Sequence, residues 1–176
     1  DEEFEQRRYS SFMKCPVPIP PEVIALHGIT DDMVRDAPSP TVVMDQFFDF
    51  LKFTGTPRVC VAHNSSFDVG MVHRTLERSK MNQGDRPFEF VIDSCHFAKT
   101  ILPDLPKHSL SVLAQHFKIT PPEQYHRAMA DVEILRKVFL NLLCIAADKF
   151  SGPEGLTIAR VVELACGYYI MSPQDS

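Results

Sequence analysis

Residues 59–68 read Val59-Cys60-Val61-Ala62-His63-Asn64-Ser65-Ser66-Phe67-Asp68. The first four form a short apolar run suited to a buried strand. Ser65 or Ser66 is placed to cap a helix over roughly 66–80. Asp68 then falls in the first turn of that helix, just beyond the strand. In α/β sheets, ligands gather outside the carboxyl ends of strands. A helix N-terminus also favours a carboxylate, so Asp68 has a plainer reading as a complement to its own helix.

Working outward, residues 88–92 (Phe-Glu-Phe-Val-Ile) repeat the pattern as a second buried strand, and residues 4–13 read as a half-exposed, weakly alternating one. Pro16, Pro18, Pro20 and Pro21 break the chain ahead of a short helix over 21–26, which Gly28 closes. Val43, Phe47, Phe50 and Leu51 share one face of a helix over 41–53. Helices follow near 94–102 and 109–117, the latter capped by Ser109. The longest period runs from about 127 to 149 through Ala128, Val132, Leu135, Phe139, Leu142 and Ala146. Ser-Gly-Pro-Glu-Gly at 151–155 ends it, and an amphipathic piece over about 156–166 precedes a polar tail. Strands separated by helices imply an α/β layered domain with crossover connections. The expected division is a domain over 1–150 and a C-terminal helix and tail over 151–176, packing on the domain or meeting a partner.

The second chemical stretch is His126-Arg127-Ala128-Met129-Ala130-Asp131. Asp131 lines up with Leu135, Val138 and Leu142, so its face points inward. A carboxylate there needs a partner: either a metal ion or Arg127. Five residues is about 140° around a helix, so His126 does not stack beside Asp131. It belongs where the chain enters the helix, and a free imidazole is a side chain suited to general-base work near neutral pH. Carboxylates brought together repel unless they share a cation. Two acids and a histidine therefore suggest a divalent metal, a water and a base, which is equipment for phosphodiester hydrolysis.

Composition bounds the rest. At 176 residues and 44% hydrophobic content, one globular domain is the natural count. No apolar run reaches the ~20 residues of a membrane span, and the acidic start does not resemble a secretory signal. Five cysteines without a Cys-x-x-Cys pair point to reduced thiols, hence a cytoplasmic or nuclear setting. A net charge of −5 disfavours broad electrostatic binding of nucleic acid. It leaves local grip on a chain end, with Arg7, Arg8, Arg74, Arg78, Lys80, Lys99 and Lys107 serving as phosphate contacts or as solvated surface.

Taken together and in order, these motifs resemble the DEDDh (DnaQ-like) 3′–5′ exonuclease superfamily. The pattern is most similar to the proofreading domains of PolC-type polymerases and the epsilon subunit. Leu26 to Val34 is similar to the segment that contacts the terminal nucleotide. Val61 to Asp68 is similar to the second exonuclease motif, and His126 to Asp131 to the third motif of the histidine-bearing branch. Ile92-Asp93-Ser94, Leu102-Pro103 and Ser109-Leu110 are similar to the middle region. The resemblance covers about residues 4–148.

The resemblance implies a ribonuclease H-like exonuclease fold, a mixed sheet flanked by helices. It implies hydrolysis by two Mg²⁺ or Mn²⁺ ions roughly 4 Å apart. Asp68 and Asp131 would be metal ligands, with His126 taking the proton from the attacking water. His27, Ile29, Thr30, Asn64 and Phe67 would line the pocket for the terminal nucleotide of a single-stranded or frayed 3′ end of DNA or RNA, in association with a polymerase subunit. His27 has an equal reading in packing, and Asp93 reads as a structural acid beside the site.

The family's first motif, Asp-x-Glu on an apolar strand, is the departure. Asp1-Glu2-Glu3 has that spacing without an apolar strand before it and reads as a charged turn. The expected sheet therefore lacks its first one or two strands, and activity of this chain alone is in question. The competing expectation is a non-catalytic nucleic-acid-binding or scaffold module on the same fold.

Overall fold

A computed structural model of the chain describes residues 7–52, 58–81, 87–120, 128–150, 152, 155–165 and 168–169. Three strands among these residues, β1 (Val59–Ala62), β2 (Phe90–Asp93) and β3 (Tyr168–Tyr169), form one sheet in the order β1-β2-β3. β1 and β2 run parallel, with Val59 opposite Phe90 and Ala62 opposite Asp93. β3 returns antiparallel to β2, which makes the sheet mixed.

The pleat of β2 divides the core. Successive side chains of a strand face opposite ways. Val91 therefore packs with Leu51, Val69 and Phe88, backed by Phe47, Phe50 and Cys60. These come largely from α3 (Pro40–Leu51) and α4 (Ser65–Arg78). Its neighbour Ile92 faces the larger cluster, built around α5 (Ser94–Ile101), α6 (Leu110–His116), α7 (Ala128–Phe150) and α8 (Ile158–Leu164). Phe97, Ile101, Leu113, Val138 and Leu142 are sealed from solvent there. α4 crosses from β1 to β2, the parallel crossover expected from the alternation of elements.

Two short helices lead in. α1 (Pro21–His27) starts on proline and ends at Gly28, whose φ of 71° suits a residue without a Cβ. α2 (Asp31–Val34) is capped by Thr30.

The sheet and its helices correct several sequence expectations. Residues 7–13 form no strand, and residues 1–6 lie outside the described residues. A strand requires a ladder partner, and Tyr9 of this segment is tied instead to α3. The Tyr9 hydroxyl donates to the Val43 carbonyl at 2.9 Å, and its ring packs 5.7 Å from that of Phe50. β3 went unread because two residues are too few to show a period of two. The C-terminal piece takes the first of its two expected courses: α8 and its C-cap put Val161, Leu164 and Ala165 into the main core.

In α7 the buried stripe is Ile134, Val138, Leu142 and Ala146, while Val132 is 53% exposed. That helix is apolar around much of its circumference, so packing on α5 and α6 chose which edge to bury. Ser109 stands at the N-cap of α6, but its hydroxyl meets that of Ser111 instead of accepting from a backbone N–H of the helix.

Candidate active site at the carboxyl ends of β1 and β2

Parallel register brings the carboxyl ends of β1 and β2 side by side, Ala62 opposite Asp93. β1 passes through His63 and Asn64 into α4, and β2 passes directly into α5. At this junction the Asp93 carboxylate joins both helix starts. Its Oδ1 accepts from Cys95 N at 2.9 Å and His96 N at 3.3 Å, the ordinary duty of an N-cap. Oδ2 reaches across to accept from Ser65 N at 2.8 Å and Ser65 Oγ at 3.2 Å, while Asn64 N donates to Oδ1 at 3.3 Å. Burial opposes the charge on Asp93, but these donors from Ser65, His96 and Cys95 outweigh it and hold the carboxyl below its usual range.

Neither Ser65 nor Ser66 caps α4, contrary to expectation, because both lie inside the helix and the N-cap is Asn64. Asn64 sits in the left-handed region at φ 64° and ψ 58°. For most residues that conformation costs roughly 1–2 kcal/mol, and asparagine is among the few that visit it readily. The tight turn it makes starts α4 immediately after the strand. Phe67 and Asp68 then stand on the first turn, with Phe67 67% exposed.

Asp68 is solvent-exposed as a residue. Partial burial of its carboxyl nevertheless raises its pKa, helped by the charge of Asp93 and opposed by its own backbone N–H and by His63. Behind it, the His63 Nδ1 lies 3.0 Å from the Oγ of the fully buried Ser94. His63 Nε2 is buried without a well-formed hydrogen bond among the described residues. Burial pushes the pKa of this imidazole down; Asp93, the His108 backbone and Asp68 partly offset that, and Lys99 adds to it. Sequence reasoning passed over His63. Its signal was the position directly after the apolar run, one residue before Asn64.

The other expected residues fall in two places. His27, Ile29 and Thr30 share the turn from α1 to α2. Ile29 N donates to His27 Nδ1 at 2.9 Å, and Thr30 Oγ1 accepts from Met33 N at 3.4 Å. His27 thus has a local role in shaping the turn, beside whatever it contacts from outside. Asp131 stands in the first turn of α7, half-buried, one turn before the sealed Ile134. His126 and Arg127 lie outside the described residues.

Among the described residues no three His, Cys, Asp or Glu side chains gather as a metal-holding group. The two carboxylates are hard oxygen donors of the type that holds Mg²⁺ or Mn²⁺. Asp68, with its charge disfavoured by burial and by Asp93, is a group that a cation would relieve. Of the cations proposed for phosphate contact, Arg8 is paired with Glu133 at 2.7 Å.

Two strand–turn–helix units presenting acids at the carboxyl ends of a parallel strand pair within a mixed sheet fit a ribonuclease H-like nuclease fold. The RNase_T family, described as Exonuclease, matches residues 1–139, and the chain belongs to this family of DnaQ-like exonuclease domains. DNA polymerase III PolC-type from Oceanobacillus iheyensis is 37% identical over 126 residues, covering 72% of this chain and 8% of that protein. The Bacillus subtilis counterpart is 33% identical over 142 residues, covering 81% of this chain and 9% of its own. The chain therefore spans less than a tenth of the length of these relatives. Exonuclease X, solved in complex with 5′ overhanging duplex DNA, shares the fold with a TM-score of 0.61 at 24% identity. That match covers 87% of this chain and 78% of the other.

Proposed function

We propose that this chain is a DEDDh-type 3′–5′ exonuclease domain that releases 5′-mononucleotides from a DNA end, serving a replicative polymerase as its proofreading unit. The observation that carries the reading is the β1–α4 turn. It presents Asp68, with a carboxyl that resists ionisation, at the strand ends of a chain in an exonuclease family. The similarity to PolC-type polymerases supports the polymerase setting, and the DNA bound to exonuclease X supports DNA as substrate.

In this reading Asp68 and Asp131 hold divalent metal. The ions would supply an activated water and charge neutralisation at the scissile phosphate. His126, two positions ahead of Ala128 in the sequence, accepts the proton of the attacking water. Asn64 and the exposed ring of Phe67 meet the terminal nucleotide, the ring offering a stacking face of the type that single strands use. Ile29 and Thr30, with His27, form the other wall of that pocket.

The test is release of mononucleotide from a 3′-labelled single strand by full-length protein in Mg²⁺. Asp68→Ala and His126→Ala should each reduce the rate at least 100-fold. An unchanged rate in Asp68→Ala refutes the site. Salt-sensitive binding with no turnover at any metal concentration would instead identify a non-catalytic nucleic-acid-binding module.

A further inference from the structure

We propose that Asp93 is a positioning residue for this site: its carboxylate holds Asn64 and the first turn of α4, and so sets where Asp68 stands. The inference deepens the nuclease reading and rests on it for the role of Asp68. A capping aspartate ordinarily serves only its own helix. Here one oxygen does that work at Cys95 and His96, while the other spans 28 positions to Ser65. The in-register pairing of Ala62 with Asp93 makes this reach possible, because it sets the last residues of the two strands abreast.

The donor count decides how Asp93 acts. Four backbone N–H groups and the Ser65 hydroxyl converge on its two oxygens. An ionised carboxylate offers about four lone-pair sites. These donors fill them, so Asp93 acts on the site by holding the backbone of Asn64 and Ser65, beside the through-space effect of its charge on Asp68. Asparagine in its place is nearly isosteric, yet its amide nitrogen donates where Ser65 N needs an acceptor. The start of α4 then loses its anchor while β2 and α5 keep most of theirs.

The experiment compares Asp93→Asn with wild type in full-length protein by two measurements. In hydrogen exchange, the amides of Ser65 to Asp68 should exchange at least tenfold faster in the variant, with those of α7 unchanged. In nuclease assays, kcat should fall about 10–100-fold, the range for groups that orient metal ligands, and more metal should be needed for half-maximal rate. KM for the strand should hold. Unchanged exchange at 65–68 overturns the anchor. Faster exchange with unaltered kcat and metal dependence overturns the positioning role. Exchange reports whether or not the wild type cleaves, so an inactive wild type would refute the nuclease reading separately.

Discussion

At the scale of single residues, ionisation is governed by burial and by the crowd at the strand ends. Cys60, on the α3/α4 side of β1, has its thiol pushed up to about 11 by burial first and by Asp68 second. At pH 8 its thiolate fraction is then on the order of 10⁻³, and thiolate is the reactive form. Iodoacetamide should label the exposed Cys15 and Cys144 well before Cys60, as peptide mass mapping over time would show. Asp93 carries the opposite shift. A carboxyl with a folded pKa below its unfolded one contributes stability above the unfolded value and loses it as pH falls through the folded one. Acid unfolding followed by circular dichroism should therefore be less steep in Asp93→Asn below the usual carboxylate range. His63, with its pKa lowered, stays neutral in the fold. As pH falls below the ordinary histidine value the unfolded chain takes up that proton first, so His63 costs stability in mild acid. Its NMR titration midpoint should lie below 6.5.

Among elements, β1 and β2 are clamped at both ends. Asp93 ties their carboxyl ends. At the amino ends, Arg58 Nη2 meets Glu89 Oε1 at 3.0 Å, and Glu89 N donates to the Arg58 carbonyl at 2.9 Å. The Glu89 carboxylate also accepts from Arg58 N. A four-residue parallel pair has few ladder bonds of its own, so such clamps hold its register. α8 depends on a cap: Thr157 Oγ1 accepts from Arg160 N at 3.2 Å. Thr157→Ala should cost about 1 kcal/mol in urea unfolding. Removing a sealed side chain costs more. Leu142→Ala, from the centre of the α7 stripe, should lose roughly 2–5 kcal/mol in the same urea unfolding.

For the whole molecule, helices cover the mixed sheet on both faces, and the C-terminal elements belong to it. Val161, Leu164 and Ala165 lie in the α5–α7 core, and β3 closes the free edge of β2. Truncation after Phe150 should uncover that face. Each large aliphatic group exposed is worth about 1.5–3 kcal/mol, and the domain should melt markedly lower in calorimetry. Independent melting of residues 1–150 at the full-length temperature would show the tail to be dispensable. Among the described residues no helix is long and apolar enough to cross a membrane.

Local pattern alone identified β1, the helix that follows it, Asp68 in its first turn and the extent of α7. Those features depend on neighbours within a few positions: an apolar run, a period, a proline or glycine stop. The order of the motifs also carried the family. Tertiary structure decided what distance along the chain conceals. It chose which edge of α7 was buried, since several edges are apolar and only packing on α5 and α6 ranks them. It tied Tyr9 to α3 and left residues 7–13 out of the sheet, because a ladder exists only where a partner offers its hydrogen bonds. It also turned Asp93 from a local cap into a link between two helices. Side chains 28 positions apart meet only after two strands have aligned, and nothing in either segment alone encodes that alignment.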